Sequence, residues 1–317
     1  EAATGPVKLL FWTHEDKNRA IIEDRYITEF QSQNPDVTIT KVLHPSTKIQ
    51  EITLTAFAAN EGPDIFNFSI EDEYAYIVNK RVAAVTPQSI GFSSTQQIID
   101  SYIPKVLDPV TVDGKLYGLP LELTNWCIYL NKKIFRSAGL NPDTQYPKTW
   151  EDMVALSEKI VIRNGDIITR RGFDFRYPYY LTAMVPMVEQ LGGKLVSDDG
   201  KSLIVGDAAW TRVLDFFKDW GPNGKNLGAP TYKNARSLWN FDKNEVAMAH
   251  TGLYQQGRMR TDNLAFFQSK DWSVVPYPVY KDAARNVAAC YYGHYYMVNA
   301  QKPARSQSTA WKFIGYM

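Results

Sequence analysis

Hydrophobic and polar positions follow two different periods along the chain, and the switches between them mark its elements. Val7-Lys8-Leu9-Leu10-Phe11-Trp12 is a short apolar run of strand-forming residues and predicts a buried strand. Over residues 18–33 the period lengthens. Ile22, Tyr26 and Phe30 recur every four residues with Ile27 on a neighbouring row, which predicts a helix stopped by Asn34-Pro35. Residues 37–42 predict the next strand. Ser46 is placed to cap a helix carrying Ile49, Ile52 and Phe57 that ends at Gly62, and residues 64–68 return as a strand. This strand–helix alternation predicts an α/β domain with a largely parallel sheet.

After Thr111 the pattern changes. Asp113-Gly114 is a turn signal, and residues 116–120 and 126–130 read as extended segments. Thr149 then opens a helix with Asp152 at its third position, a variant of the capping box, and Met153, Leu156 and Ile160 mark the buried face. A helix over 208–220 is expected to bury Trp210, Val213, Leu214 and Phe217 and to end at Gly221. Residues 273–279 and 288–298 predict strands. Ser306 or Ser308 is expected to cap a last helix beginning with Ala310-Trp311-Lys312-Phe313. There is no internal repeat and no low-complexity linker, so two α/β regions should be joined by strands that cross between them.

Length supports two regions, since 317 residues exceed what one ordinary hydrophobic core organises. With 44% hydrophobic and 22% charged residues, neither disorder nor a membrane protein is favoured. A formal net charge of +1 gives no electrostatic reason to expect nucleic acid as a partner. Aromatic content is the unusual feature: 19 Tyr, 15 Phe and 8 Trp supply faces that suit ligands of alternating C–H and O–H surface. Cys127 and Cys290 form either one bridge or two buried thiols, and the count alone does not choose. Glu1-Ala2-Ala3-Thr4-Gly5 reads as a processed or an engineered start in place of a native initiator. No nucleophile motif, phosphate loop or HExxH-type metal spacing occurs, so an enzyme, a cofactor and a resident metal are not expected.

Several segments fit one pattern in one order. Leu10-Phe11-Trp12 is followed by Phe30 through Asn34-Pro35-Asp36, by Gly62-Pro63-Asp64-Ile65-Phe66, and by Asp113-Gly114-Lys115-Leu116-Tyr117-Gly118-Leu119-Pro120. Tyr129-Leu130-Asn131-Lys132, Lys148-Thr149-Trp150-Glu151-Asp152, Gly192-Gly193, Val246-Ala247-Met248, Val275-Pro276-Tyr277-Pro278 and Ala310-Trp311-Lys312-Phe313 complete the series. This series resembles the family 1 extracellular solute-binding proteins of carbohydrate ABC importers. The resemblance implies a two-lobed fold of mostly parallel sheets flanked by helices, with crossing hinge strands. It implies an N-terminal lobe of residues 1–122 and 295–317 and a C-terminal lobe of residues 127–290. It also implies further C-terminal helices beyond residue 317, without which the second lobe would lose packing partners.

The same resemblance implies a non-catalytic receptor that binds an oligosaccharide in the cleft between its lobes and presents it to a membrane permease. The expected protein is a monomer in the periplasm or on the outer face of the cytoplasmic membrane, with or without a lipid anchor. Asp16 and Lys17 match positions that hydrogen-bond sugar hydroxyls, although acidic residues also favour a helix's first turn. Trp12 fits either the cleft or the core. Phe68 and Glu71 match a stacking aromatic and a polar contact, with Phe66 competing for the cleft-facing place, and Asn67 can both donate and accept. Glu122, Thr124 and Trp126 follow Pro120 at the inferred crossing and supply carboxylate, hydroxyl and indole. Tyr179 and Tyr180 match an aromatic turn of the second lobe, where Arg176 replaces an acidic residue and argues against a maltose-type ligand. Tyr254 matches an aromatic platform. Near the second crossing, Tyr291 is a candidate contact and Gly293 would let backbone approach the sugar, whereas His294 reads as a strand histidine. Rival readings are a ferric-ion or polyamine receptor of the same fold and a glycosidase using Glu15, Glu71 and Glu122.

Overall fold

A computed structural model describes residues 5–45, 48–69, 72–174, 181–228, 245–288 and 291–317. The chain divides into two compact units, one of residues 1–123 with 292–317 and one of residues 124–291. In chain order the first unit holds β1 (Val7–His14), α1 (Lys17–Gln33), β2 (Val37–His44), α2 (Ile49–Ala58), β3 (Ile65–Ser69), α3 (Glu73–Val78), α4 (Thr95–Asp100), β4 (Thr111–Val112) and β5 (Lys115–Leu116). A single 13-residue strand, β6 (Leu119–Asn131), then passes into the second unit. The pattern suggests two extended segments because Glu122 and Asn125 interrupt the apolar run, yet both are simply exposed positions on one continuous strand.

The second unit continues with α5 (Lys132–Ser137), α6 (Trp150–Ile160), β7 (Ile162–Asn164), β8 (Ile167–Asp174), α7 (Leu181–Gln190), α8 (Ala208–Trp220), β9 (Val246–Gly252), α9 (Gln255–Asp262), α10 (Leu264–Ser269) and β10 (Trp272–Val275). Strand β11 (Tyr291–Val298) returns the chain to the first unit, which α11 (Ala304–Tyr316) completes. No described helix is long and apolar enough to cross a membrane.

In the first unit β1 lies between β2 and β3 and runs parallel to both, while β11 pairs with β3 in the antiparallel sense and adjoins β6. Alternation builds β1: Val7, Leu9 and Phe11 are buried and Lys8 is exposed. Phe11, Phe30, Phe57, Phe66 and Phe313 fill the core behind it. α2 stops at Ala58, before Gly62, because Asn60 takes a left-handed backbone that ends the helix. Ser46 lies outside the described residues. α11 starts at Ala304, ahead of both serines expected to cap it. Pro303 occupies the N-cap with its extended backbone, so the start needs no side-chain cap.

In the second unit β6 lies between β10 and β9, followed by β8 parallel to β9 and β7 antiparallel at the edge. Thr149 and Asp152 form the predicted capping box on α6. Ser157, not Leu156, is the fully buried neighbour of Met153 and Ile160. Gly172 of β8 comes so close that a Cβ there would lie 2.4 Å from Ser157 Cα, which leaves room only for a small residue. On α8 the buried residues are Trp210, Val213, Phe217 and Trp220, and Leu214 is 50% exposed because it falls to one side of that stripe. β10 ends at Val275, short of the expected 279, since Pro276 and Pro278 supply no N–H to a ladder.

Candidate ligand-binding site

In the first unit the last residues of β1 lead into a sharp helix start. Asp16 has extended backbone at the N-cap of α1, and its Oδ1 accepts from Asn18 N at 3.0 Å and Arg19 N at 3.1 Å. The capping role read as the plain alternative is therefore present, with Lys17 exposed in the first turn. Asp16→Asn should leave stability within a few tenths of a kcal/mol, since Asn caps as well, whereas Asp16→Ala should cost about 1 kcal/mol in urea unfolding. A fall in ligand affinity for Asp16→Asn, at unchanged stability, would show a contact beyond the cap.

That helix start delivers Arg19 into the interior, where it is 3% exposed. Its Nη2 lies 2.9 Å from His14 Nδ1 and also meets Nε2 of that ring, and Nη1 lies 3.1 Å from Glu122 Oε1 on β6. The His14 ring packs on His294 of β11, with centroids 4.1 Å apart. One turn along α1, buried Glu23 accepts from Thr13 Oγ1 at 3.0 Å and from Tyr296 OH at 2.7 Å, with Lys41 Nζ 3.5 Å from its other oxygen. Burial raises the Glu23 carboxyl above the usual range against the pull of Tyr296, Arg19, Lys41 and Thr13. Burial also pushes the His294 ring well below the ordinary histidine value, helped by His14 and Arg19.

The other expected contacts of this unit sort by burial. Asn67 is fully buried and donates to Thr13 Oγ1 at 2.6 Å. Phe68 is 2% exposed, packed on Phe66 and Tyr76, so both competing phenylalanines belong to the core and neither offers a ring face to a ligand. Trp12 is half-buried with its ring edge on His44 at 4.6 Å. Glu122 keeps a 52% exposed side chain. At Gly293 the close approach is by β6 itself: a Cβ would lie 2.8 Å from Glu122 O and 2.9 Å from Leu123 Cδ2. Its missing side chain therefore serves strand packing. Glu71 lies outside the described residues.

In the second unit, register pairs Trp126 of β6 with Gly252 of β9. Tyr254 follows at the start of α9, half-buried, with its ring laid against Gly252. A Cβ on that glycine would come within 2.4 Å of the ring. The Tyr254 hydroxyl accepts from Thr251 Oγ1 at 3.3 Å, Trp126 meets the ring edge-on at 6.4 Å, and the Arg258 guanidinium lies 4.9 Å from its centroid. Thr124 Oγ1 accepts from Leu253 N at 2.9 Å and ties this corner to β6. Trp126 is buried between Tyr254 and His250, so it backs the platform without presenting a broad face. His250 itself is fully buried and pushed down to about 3 by burial.

Tyr179, Tyr180 and Arg176 lie outside the described residues, and so does Cys290. Tyr291 opens β11. Cys127 is a buried free thiol, pushed up to about 12 by burial, with its Sγ donating to Thr251 O at 3.5 Å. Among the described residues no group of three His, Cys, Asp or Glu is placed to hold a metal. The sequence reading missed Arg19 and Arg258, and it named His14 only for the ferric-ion alternative. For Arg19 the available signal was its place three residues after the cap, which turns a first-turn side chain toward the strand before the helix.

These two corners sit on a fold with many solved relatives. Residues 25–317 match the model of the family described as bacterial extracellular solute-binding protein. The chain belongs to that family. It is 25% identical over 219 residues to an arabinooligosaccharide-binding protein of Halalkalibacterium halodurans, covering 68% of this chain and 46% of that protein. It is 21% identical over 316 residues to a maltotriose-binding protein of Pyrococcus abyssi, covering 99% of this chain and 63% of that protein. The chain thus spans about half to two-thirds of the length of these curated relatives. An ABC transporter solute-binding protein of Thermotoga lettingae, solved with alpha-D-tagatose bound, superposes with a TM-score of 0.81 at 20% identity, over 98% of this chain and 76% of that one. The α/β fold expected from the sequence is that of these proteins.

Proposed function

We propose that this family member is an extracytoplasmic receptor that captures an oligosaccharide and presents it, as a monomer, to the membrane permease of an ABC importer. The observation that carries the reading is the Tyr254 platform of the second unit, a ring held against Gly252, flanked by Trp126 and by the hydroxyls of Thr124 and Thr251. Such a surface matches a pyranose or furanose ring, whose C–H face stacks on an aromatic while its hydroxyls need donors and acceptors. The named sugar ligands of the relatives support the same class. No bond is broken in this reading. Buried polar groups discriminate against analogues lacking a hydroxyl, because each would be left unpaired.

Calorimetry with arabinotriose and maltotriose tests the platform. Tyr254→Ala should weaken binding of whichever sugar is bound by roughly 30-fold, the equivalent of about 2 kcal/mol for a stacked ring taken from water. Tyr254→Phe should lose only a fewfold. Unchanged affinity in the alanine variant would remove Tyr254 from the site.

A further inference from the structure

Glu122 is the exposed end of a row of polar groups that runs into the core of the first unit. Behind it lie the Arg19 guanidinium, the His14 ring and the His294 ring, drawn from α1, β1 and β11. A guanidinium has five donors and no acceptor, so the ring nitrogen that faces Arg19 must offer a lone pair. His14 is therefore neutral in this arrangement. A proton on either ring would set a positive charge against Arg19 or against the neighbouring ring, where His14 is 9% exposed and His294 half-buried.

Among the described residues, the other charged and titratable groups facing the pair and Arg19 include Glu23, Lys41 and Tyr296. Glu23 on α1 lies 3.7 Å from Arg19 Nε, Lys41 on β2 is held by Glu23 and Asp24, and Tyr296 on β11 donates to Glu23. Among the described residues, the two carboxylates that touch Arg19 differ in role. Glu23 is buried among donors, and Glu122 is the one that reaches solvent.

We propose that the neutral His14–His294 pair seats Arg19, that Arg19 is the positioning residue that aims the Glu122 carboxylate, and that protonation of the pair unseats the guanidinium and releases it. The guanidinium fork supplies what a long, half-exposed glutamate lacks, one fixed orientation before the ligand arrives. The pair is neutral above the ordinary histidine range and the arrangement holds there; acid undoes it. Burial and the nearby Arg19 act in this direction on His294. The consequence for binding rests on Glu122 touching the ligand.

Two measurements on the full chain test this. Without ligand, ring nitrogen shifts of the histidines and guanidinium rotation of Arg19 are followed by NMR from about pH 8 to pH 5. Both rings should stay neutral through about 6.5, where an ordinary histidine is half protonated, and Arg19 rotation should quicken at least about tenfold as they protonate. A midpoint near 6.5 for either ring, or rotation indifferent to their protonation, overturns the proposal. With arabinotriose or maltotriose as probe, Arg19→Lys and Glu122→Gln should each weaken binding about tenfold at neutral pH, and the double variant no further. Loss in Glu122→Gln with none in Arg19→Lys overturns the positioning role and leaves the sugar reading standing. Failure of the native chain to bind either sugar tells against the oligosaccharide reading, and the NMR result then decides the Arg19 device by itself.

Discussion

Gly293→Ala is expected to destabilise the first unit by about 3 kcal/mol, within the range of substitutions that force a backbone apart. The added methyl would lie 2.8 Å from the carbonyl oxygen of Glu122, and a backbone oxygen within a strand cannot step aside as a flexible side chain can. β11 is held on its other edge by register with β3 from His294↔Ser69 to Val298↔Ile65, so the clash must separate β11 from β6 or distort both. Gly206→Ala is the control, since nothing lies within 4 Å of a Cβ there and its backbone is not left-handed. Urea unfolding of the two variants should differ by several-fold in effect. A Gly293→Ala chain as stable as Gly206→Ala would mean that the two strands do not approach as closely as described.

The second large effect is acid sensitivity. His250 is buried between Trp126 and Tyr277, and its ring is pushed down to about 3 by burial. Its folded value lies below its unfolded one, so the unfolded chain binds the extra proton between the two. Stability from this group is fully present above about pH 6.5 and falls by roughly 1.4 kcal/mol per pH unit below it, close to 2 kcal/mol by pH 5. His294 acts in the same direction, since burial also lowers its ring. Glu23 acts oppositely at lower pH, because its raised carboxyl binds a proton more readily in the folded chain. His250→Phe isolates the first contribution: its urea midpoint should lose less between pH 7.5 and 5 than that of the native chain, by about 2 kcal/mol of stability. Equal losses in the two would place His250 in contact with water.

What could be read from the sequence was local. The capping box at Thr149 and Asp152 spans four residues, and α1 and α8 announce themselves by apolar spacing, so their ranges follow closely. The alternation of β1, α1, β2, α2 and β3 carries the α/β class for the same reason. What failed depended on approach between distant segments. Ser157 replaces Leu156 in the core because Gly172 lies against it, and that contact has no signature within α6. Phe68 matches a stacking position by pattern, yet Tyr76 and Phe66 close over it.

The candidate site divides in the same way. Tyr254 was legible as an aromatic platform, and the role of Gly252, two residues before it, became clear only from the ring lying against it. Arg19 and Glu122 are 103 residues apart, and nothing in either neighbourhood names the other. His294 was expected to be an ordinary strand histidine; it lies half-buried on β11, and its packing on His14 joins β11 to β1 across nearly the whole chain.

The most direct test of the receptor reading is thermal unfolding of the chain against a panel of oligosaccharides, with ferric ion and a polyamine as the contrasting ligands. A sugar bound specifically to the folded state at about one hundred times its Kd adds roughly 2.7 kcal/mol, and the midpoint should rise with its concentration while the contrasting ligands leave it unmoved. A midpoint indifferent to every sugar, but raised by ferric ion or the polyamine, would contradict the account.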